Sequence, residues 1–161
     1  MAKMIKVGMA DLNICHTPDA ITTLGLGSCV GVALYDKTTK IAGLVHVMLP
    51  DSTKVRQNQN RAKFADTGID YLIELLEKEG ARKSSLTAKI AGGAQMSAFS
   101  SNNDMLRVGE RNVEAVKEKL KSIGIRILAE DTGLNYGRTV EFYPETGDFV
   151  IKSVGKPVKT I

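Results

Sequence analysis

The residues with chemistry to offer fall in two short stretches, Thr23-Leu24-Gly25-Leu26-Gly27-Ser28-Cys29 and Val45-His46-Val47-Met48-Leu49-Pro50. A thiol, an imidazole and a glycine-loosened backbone are the components of a cysteine nucleophile. The imidazole removes the thiol proton, and backbone N–H groups around Gly27, Ser28 and Cys29 are the candidates to hold an oxyanion. Whether these groups meet depends on the elements that carry them.

Ser28 to Tyr35 and Ile41 to Leu49 are rich in Val, Leu, Met and small apolar residues, with Asp36-Lys37-Thr38-Thr39 between them. This predicts a β-hairpin with a four-residue loop. With Tyr35 opposite Lys40, the register pairs Ala33 with Ala42, Gly31 with Leu44 and Cys29 with His46. Directly opposite residues hold their Cβ atoms about 4.5–5.5 Å apart, within reach of a thiol and an imidazole. One face then carries Val30, Val32, Leu34, Ile41 and Val45 as a core surface. The Cys29 face carries Gly31, Ala33 and Ala42 and leaves room. A slip of one residue would separate Cys29 and His46 by the thickness of the sheet. Taken singly, each residue also has an ordinary structural reading, Cys29 as a small buried hydrophobe and His46 as a core histidine bonded to backbone. A Cys29 thiol with its pKa lowered by His46 would react first with an alkylating agent.

Further strings complete the pattern: Ala88-Lys89-Ile90-Ala91-Gly92-Gly93-Ala94, Gly109-Glu110-Arg111-Asn112-Val113-Glu114-Ala115 and Ala129-Glu130-Asp131-Thr132-Gly133. Together with the Cys29 and His46 strings, in this order through nearly the whole chain, they make it resemble the CheD family of chemoreceptor glutamine deamidases. The resemblance implies a CheD-like cysteine hydrolase fold and a cofactor-free deamidase converting selected receptor glutamines to glutamate. It implies Cys29 as nucleophile, His46 as base and Thr23 as third member. Its implied partners are chemoreceptor cytoplasmic domains and the CheC phosphatase. Leu134 departs from the pattern, standing where the family often has a second glycine after Asp131-Thr132-Gly133. Thr22 competes with Thr23 for the orienting role, since adjacent extended residues point to opposite faces and only one can reach His46. Two other readings remain open: a binding module that engages CheC with little deamidation of its own, and another cysteine acyl-transfer enzyme such as a transglutaminase or peptidase.

Composition bounds the rest. The 161 residues, 43% hydrophobic and 25% charged, suit one domain spanning 1–161 with a substantial core. No repeat or membrane-length apolar run occurs, and Met1-Ala2-Lys3-Met4-Ile5-Lys6 does not resemble a secretory signal, so a cytoplasmic protein without membrane insertion is expected. Two cysteines without a Cys-x-x-Cys spacing argue against a disulfide or a structural zinc. A net charge of +4 interleaved with acids, and no Trp, give no basic-aromatic platform for nucleic acid. Neither Gly25-Leu26-Gly27 nor Gly92-Gly93 has a phosphate-loop ending.

Arg61 to Glu79, with Ala65, Ile69, Leu72, Ile73 and Leu76 on one stripe and Gly80 behind, predicts a helix. Asn112 to Ile123, with Val113, Val116, Leu120 and Ile123 before Gly124, predicts another. Further strands are expected at Ile5 to Ile14, Leu86 to Ala91, Arg126 to Glu130, Thr139 to Tyr143 and Phe149 to Val154. The fold class is α+β, with mixed, sandwich-like sheets flanked by two long helices. Cys15 reads as structural, His16 as a strand end, and Glu130-Asp131 as a strand end before a turn. Asp51 to Asn60 reads as a polar connection or a mobile rim, and Gly92 and Gly93 as positions of close backbone approach leading into a Ser/Asn-rich loop.

Overall fold

The computed structural model describes residues 2–96 and 107–161, so most of the stretch expected as a Ser/Asn-rich loop lies outside the described residues. The strands are β1 (Met4–Val7), β2 (Leu12–His16), β3 (Ala20–Leu26), β4 (Val30–Asp36), β5 (Ile41–Val47), β6 (Leu86–Gly92), β7 (Arg126–Thr132), β8 (Arg138–Tyr143), β9 (Asp148–Lys152) and β10 (Lys159–Thr160). The helices are α1 (Ala65–Lys78) and α2 (Val108–Ser122). The strands form two five-stranded sheets in the orders β1-β3-β8-β9-β10 and β2-β5-β4-β6-β7. Each is mixed, because β1 runs parallel to β3 and β6 parallel to β7 while the other pairs are antiparallel. The α+β class with mixed sheets and two helices is therefore as expected. No helix among the described residues is long and apolar enough to cross a membrane.

β4 and β5 are buried at every position, which is why both read as nearly continuous apolar runs rather than alternating ones. Their two faces enter different cores. Val30, Val32, Leu34, Ile41, Val45 and Val47 pack with Ile69, Leu72 and Leu76 of α1 and Val116 and Leu120 of α2. Cys29, Ala33, Ala42 and Leu44 join Ile21, Leu26, Val140, Phe142 and Phe149 from the other sheet. The expected partition of side chains holds, but the Cys29 face is not open: its small residues let the second sheet approach, and Leu26 covers Gly31.

The hairpin register differs from expectation by two residues. Asp36 faces Ile41, Tyr35 faces Ala42, Ala33 faces Leu44 and Gly31 faces His46. The loop remains four residues long but is Lys37 to Lys40. Asp36 is the cause: its buried carboxylate accepts from the N–H groups of Thr38 (2.9 Å), Thr39 (3.4 Å) and Arg82 (2.9 Å), holding it inside the sheet. Lys40, at φ 59°, closes the turn. A two-residue shift preserves the faces, so Cys29 and His46 stay on the same side as diagonal rather than direct neighbours.

Three further expectations needed correction. The strand expected over Ile5 to Ile14 is broken at Gly8-Met9-Ala10, with Ala10 at φ 55°, and its halves β1 and β2 join different sheets. Arg61–Lys63 is a separate 3-10 turn, capped by Asn60, ahead of α1. α2 begins at Val108, four residues before the expected Asn112, because its first turn is too polar to register in the apolar period. That first turn lies against backbone. A Cβ on Gly109 would stand 2.4 Å from the Ala94 carbonyl oxygen, and one on Gly92, at φ 113°, 2.2 Å from the Cys29 carbonyl oxygen. The close approach expected of the glycine-rich string is thus where α2, the end of β6 and the Cys29 turn meet.

Candidate active site

His46 is supplied by β5 and is fully buried. Its Nδ1 lies 2.8 Å from the hydroxyl of Thr23 on β3, which belongs to the other sheet. The same hydroxyl donates to the Val7 carbonyl at 2.8 Å. A threonine hydroxyl has one proton, and it is committed to Val7; Thr23 must therefore accept from Nδ1–H. The tautomer follows: Nδ1 carries the proton and Nε2 presents a bare lone pair. Nε2 is buried without a hydrogen-bond partner among the described residues. Leaving such an atom unpaired costs about 1–3 kcal/mol, and the arrangement keeps a base ready to accept a proton. Thr22 does not compete, since its hydroxyl donates to the Val140 carbonyl at 2.7 Å within its own sheet.

Cys29 occupies the turn between β3 and β4, two positions before Gly31, the residue opposite His46. Three consecutive carbonyls fix this turn. Gly27 accepts from Ala94 N–H (2.9 Å), Ser28 from Asn112 Nδ2 (3.0 Å) and Cys29 from Gly93 N–H (2.8 Å). Of these oxyanion-hole candidates, Gly27 has its N–H turned onto the Gly25 carbonyl at 3.1 Å and is spoken for. No such bond engages the N–H groups of Ser28 and Cys29 among the described residues.

Burial pushes the Cys29 thiol above the ordinary thiol range, with its own backbone N–H pulling weakly the other way. Burial also holds the His46 imidazole below its ordinary value. The resting pair is thus thiol and neutral imidazole, and the expectation that His46 lowers the Cys29 pKa is not met. Cys15, buried in the same core as Cys29, is pushed up to about 12 by burial and by Asp19 nearby, as suits a structural thiol. His16 ends β2 and pairs with Glu79 at 3.1 Å. Glu130 pairs with Lys117, and Asp131 with Arg138 and Lys159, so they form ion pairs rather than an acid-base couple. Leu134 adopts φ 61°, the left-handed region that a glycine would favour, directly after Gly133 at φ 79°.

Asn112 was not expected at the site. It lies fully buried on α2, and its Nδ2 donates to the Ser28 carbonyl at 3.0 Å and to the Met48 carbonyl, two residues past His46, at 2.9 Å. The sequence did carry a signal for it: Asn112, Val116 and Leu120 recur at four-residue spacing, placing a polar amide on an apolar stripe. A buried polar group on such a stripe requires partners.

Residues 48–153 match the family model described as CheD chemotactic sensory transduction. Similar proteins extend the match to the segment that carries Thr23, Cys29 and His46. One from Lachnoclostridium phytofermentans, named probable chemoreceptor glutamine deamidase CheD, is 71% identical over 100% of both chains. One of the same name from Caldanaerobacter subterraneus subsp. tengcongensis is 56% identical over 99% of each. A chemoreceptor glutamine deamidase CheD from Halalkalibacterium halodurans is 56% identical over 100% of each. On the family match and on identity across its full length, the chain belongs to the CheD family.

Proposed function

We propose that this protein is a chemoreceptor glutamine deamidase in which Cys29 is the nucleophile, His46 the general base and Thr23 the residue that orients it. The observation that carries the proposal is the Nε2 lone pair of His46, left bare by the Thr23 bond on the Cys29 side of the sheet. In the reaction, Nε2 takes the thiol proton as sulfur attacks the glutamine side-chain carbonyl. The Ser28 and Cys29 N–H groups receive the oxyanion. The imidazolium then protonates the departing ammonia, leaving a thioester. A water deprotonated by the same Nε2 hydrolyses it to glutamate and regenerates the thiol.

A protein substrate suits the surroundings. Leu24 (62% exposed), Met96 (58%) and Leu134 (63%) present large apolar side chains on segments joined to the Cys29 turn. Scattered singly they would need no explanation, but grouped here they favour docking of another chain. Receptor cytoplasmic domains fit this need and imply a cytoplasmic site of action, with residues 1–161 working as one deamidase unit. CheC is proposed as a further partner on the family resemblance. The test is incubation with receptor cytoplasmic domains and mapping of Gln-to-Glu changes by mass spectrometry. Unmodified glutamines beside an active control enzyme would overturn the proposal.

Two expectations follow from the geometry. Thr23→Ala should slow ammonia release, by less than the roughly 10²–10⁴-fold due to a general base, and Thr22→Ala should stay near wild type. If Thr22→Ala were the more damaging change in folded protein, the orienting role would pass to Thr22. The pH profile is the second. Because the active form needs neutral His46, kcat/KM should fall only as pH drops through a midpoint below the ordinary imidazole value of 6.5. An acid limb centred at or above that value would contradict the buried base.

A further inference from the structure

We infer that Asn112 is a positioning residue that sets the oxyanion hole by holding the Ser28–Cys29 peptide from the carbonyl side. The inference rests on the deamidase reading for its chemistry and goes beyond it in naming what shapes the site.

The argument is one of peptide geometry. In a planar trans peptide the C=O and the N–H point in opposite directions. Fixing the Ser28 carbonyl therefore fixes the direction of the Cys29 N–H, and fixing the Gly27 carbonyl fixes that of the Ser28 N–H. The Gly27 carbonyl is held by the Ala94 N–H at 2.9 Å, a backbone donor that no side-chain change removes. The Ser28 carbonyl is held by the Asn112 Nδ2 at 3.0 Å, a side-chain donor. Asn112 is thus where the orientation of the Cys29 N–H depends on a single replaceable group.

The amide orientation is settled by its surroundings. Both partners of Nδ2, the Ser28 and Met48 carbonyls, are acceptors, so the opposite flip would set oxygen against oxygen. Oδ1 is buried with no partner among the described residues, so the side chain is held through its donors. The second bond, to Met48, ties the same amide to the chain leaving His46. One residue of α2 thereby registers the nucleophile's turn against the strand of the base.

The test separates this role from simple support of the fold. Iodoacetamide alkylates Cys29 by displacement at carbon and forms no oxyanion. A receptor-derived peptide in which an aldehyde replaces the glutamine carboxamide is captured differently. The Sγ–C bond forms, the C=O π bond opens, and the thiol proton passes by way of His46 to the new hydroxyl oxygen, which lies in the hole. Asn112→Ala, and the bulkier Asn112→Val should the alanine variant not fold, would be compared with wild type. Affinity for the aldehyde and kcat on receptor domains should both fall on the order of tenfold to a hundredfold, a share of what an oxyanion donor supplies. KM and the Cys29 alkylation rate should stay within about twofold. Unchanged aldehyde affinity in a folded variant would overturn the inference, as would equal loss in aldehyde capture and alkylation, which marks a general loosening. If wild-type protein modifies no receptor glutamine, the deamidase reading fails, and the aldehyde comparison still decides the role of Asn112 in acyl transfer at Cys29.

Discussion

Cys29→Ala is expected to abolish deamidation, lowering ammonia release by about 10³-fold or more, while Cys15→Ser retains it. Removing a nucleophile eliminates the covalent route altogether. Cys15 offers no substitute. It stands in β2, opposite Ala42 and away from His46, with its pKa pushed up to about 12. Its change to serine puts a hydroxyl into the core shared by the two sheets, so the cost should appear in the melting temperature rather than in turnover. Ammonia release and mass spectrometry of the receptor product would be read together. Equal activity of Cys29→Ala and wild type would remove the enzyme assignment.

The second large effect is at His46. His46→Ala should reduce kcat by about 10²–10⁴-fold, the usual share of a general base. The effect should be large here because the Cys29 thiol rests protonated: burial raises it, so attack at neutral pH depends on a base to remove the proton. A site holding a preformed thiolate would lose less. The measurement is the initial rate of ammonia release by variants shown by circular dichroism to be folded. A His46→Ala rate above that of Thr23→Ala would reverse the assigned roles.

The candidate site was legible in the sequence to the extent that it was local. Cys29 and His46 lie on one face of one hairpin, and the two-residue period of strand side chains keeps them there whatever the loop does by multiples of two. The register itself was not legible. It turns on Asp36, which reads as a loop residue until the Arg82 N–H, 46 positions away, is seen to bind its carboxylate. Thr23 could be singled out only by resemblance, because its bond to His46 crosses from one sheet to the other. β1 and β2 were merged for a related reason: both are extended and apolar, and period alone does not say that the chain changes sheets at Ala10. Asn112 shows the opposite case. Its position on the stripe of α2 was visible, but helix periodicity weighs apolar residues and passes over a buried amide.

The Thr23–His46 bond spans the seam between the two sheets, and this couples reactivity to the breathing of the molecule. Strand ladders run within each sheet and survive small separations of the layers, whereas a single hydrogen bond across the seam weakens steeply as its ends part. Once it opens, nothing keeps the Nδ1 tautomer, the imidazole is free to turn, and Nε2 is no longer held as the bare lone pair. Thermal or denaturant inactivation should accordingly run ahead of the loss of β-structure, with the protein switched off while still folded.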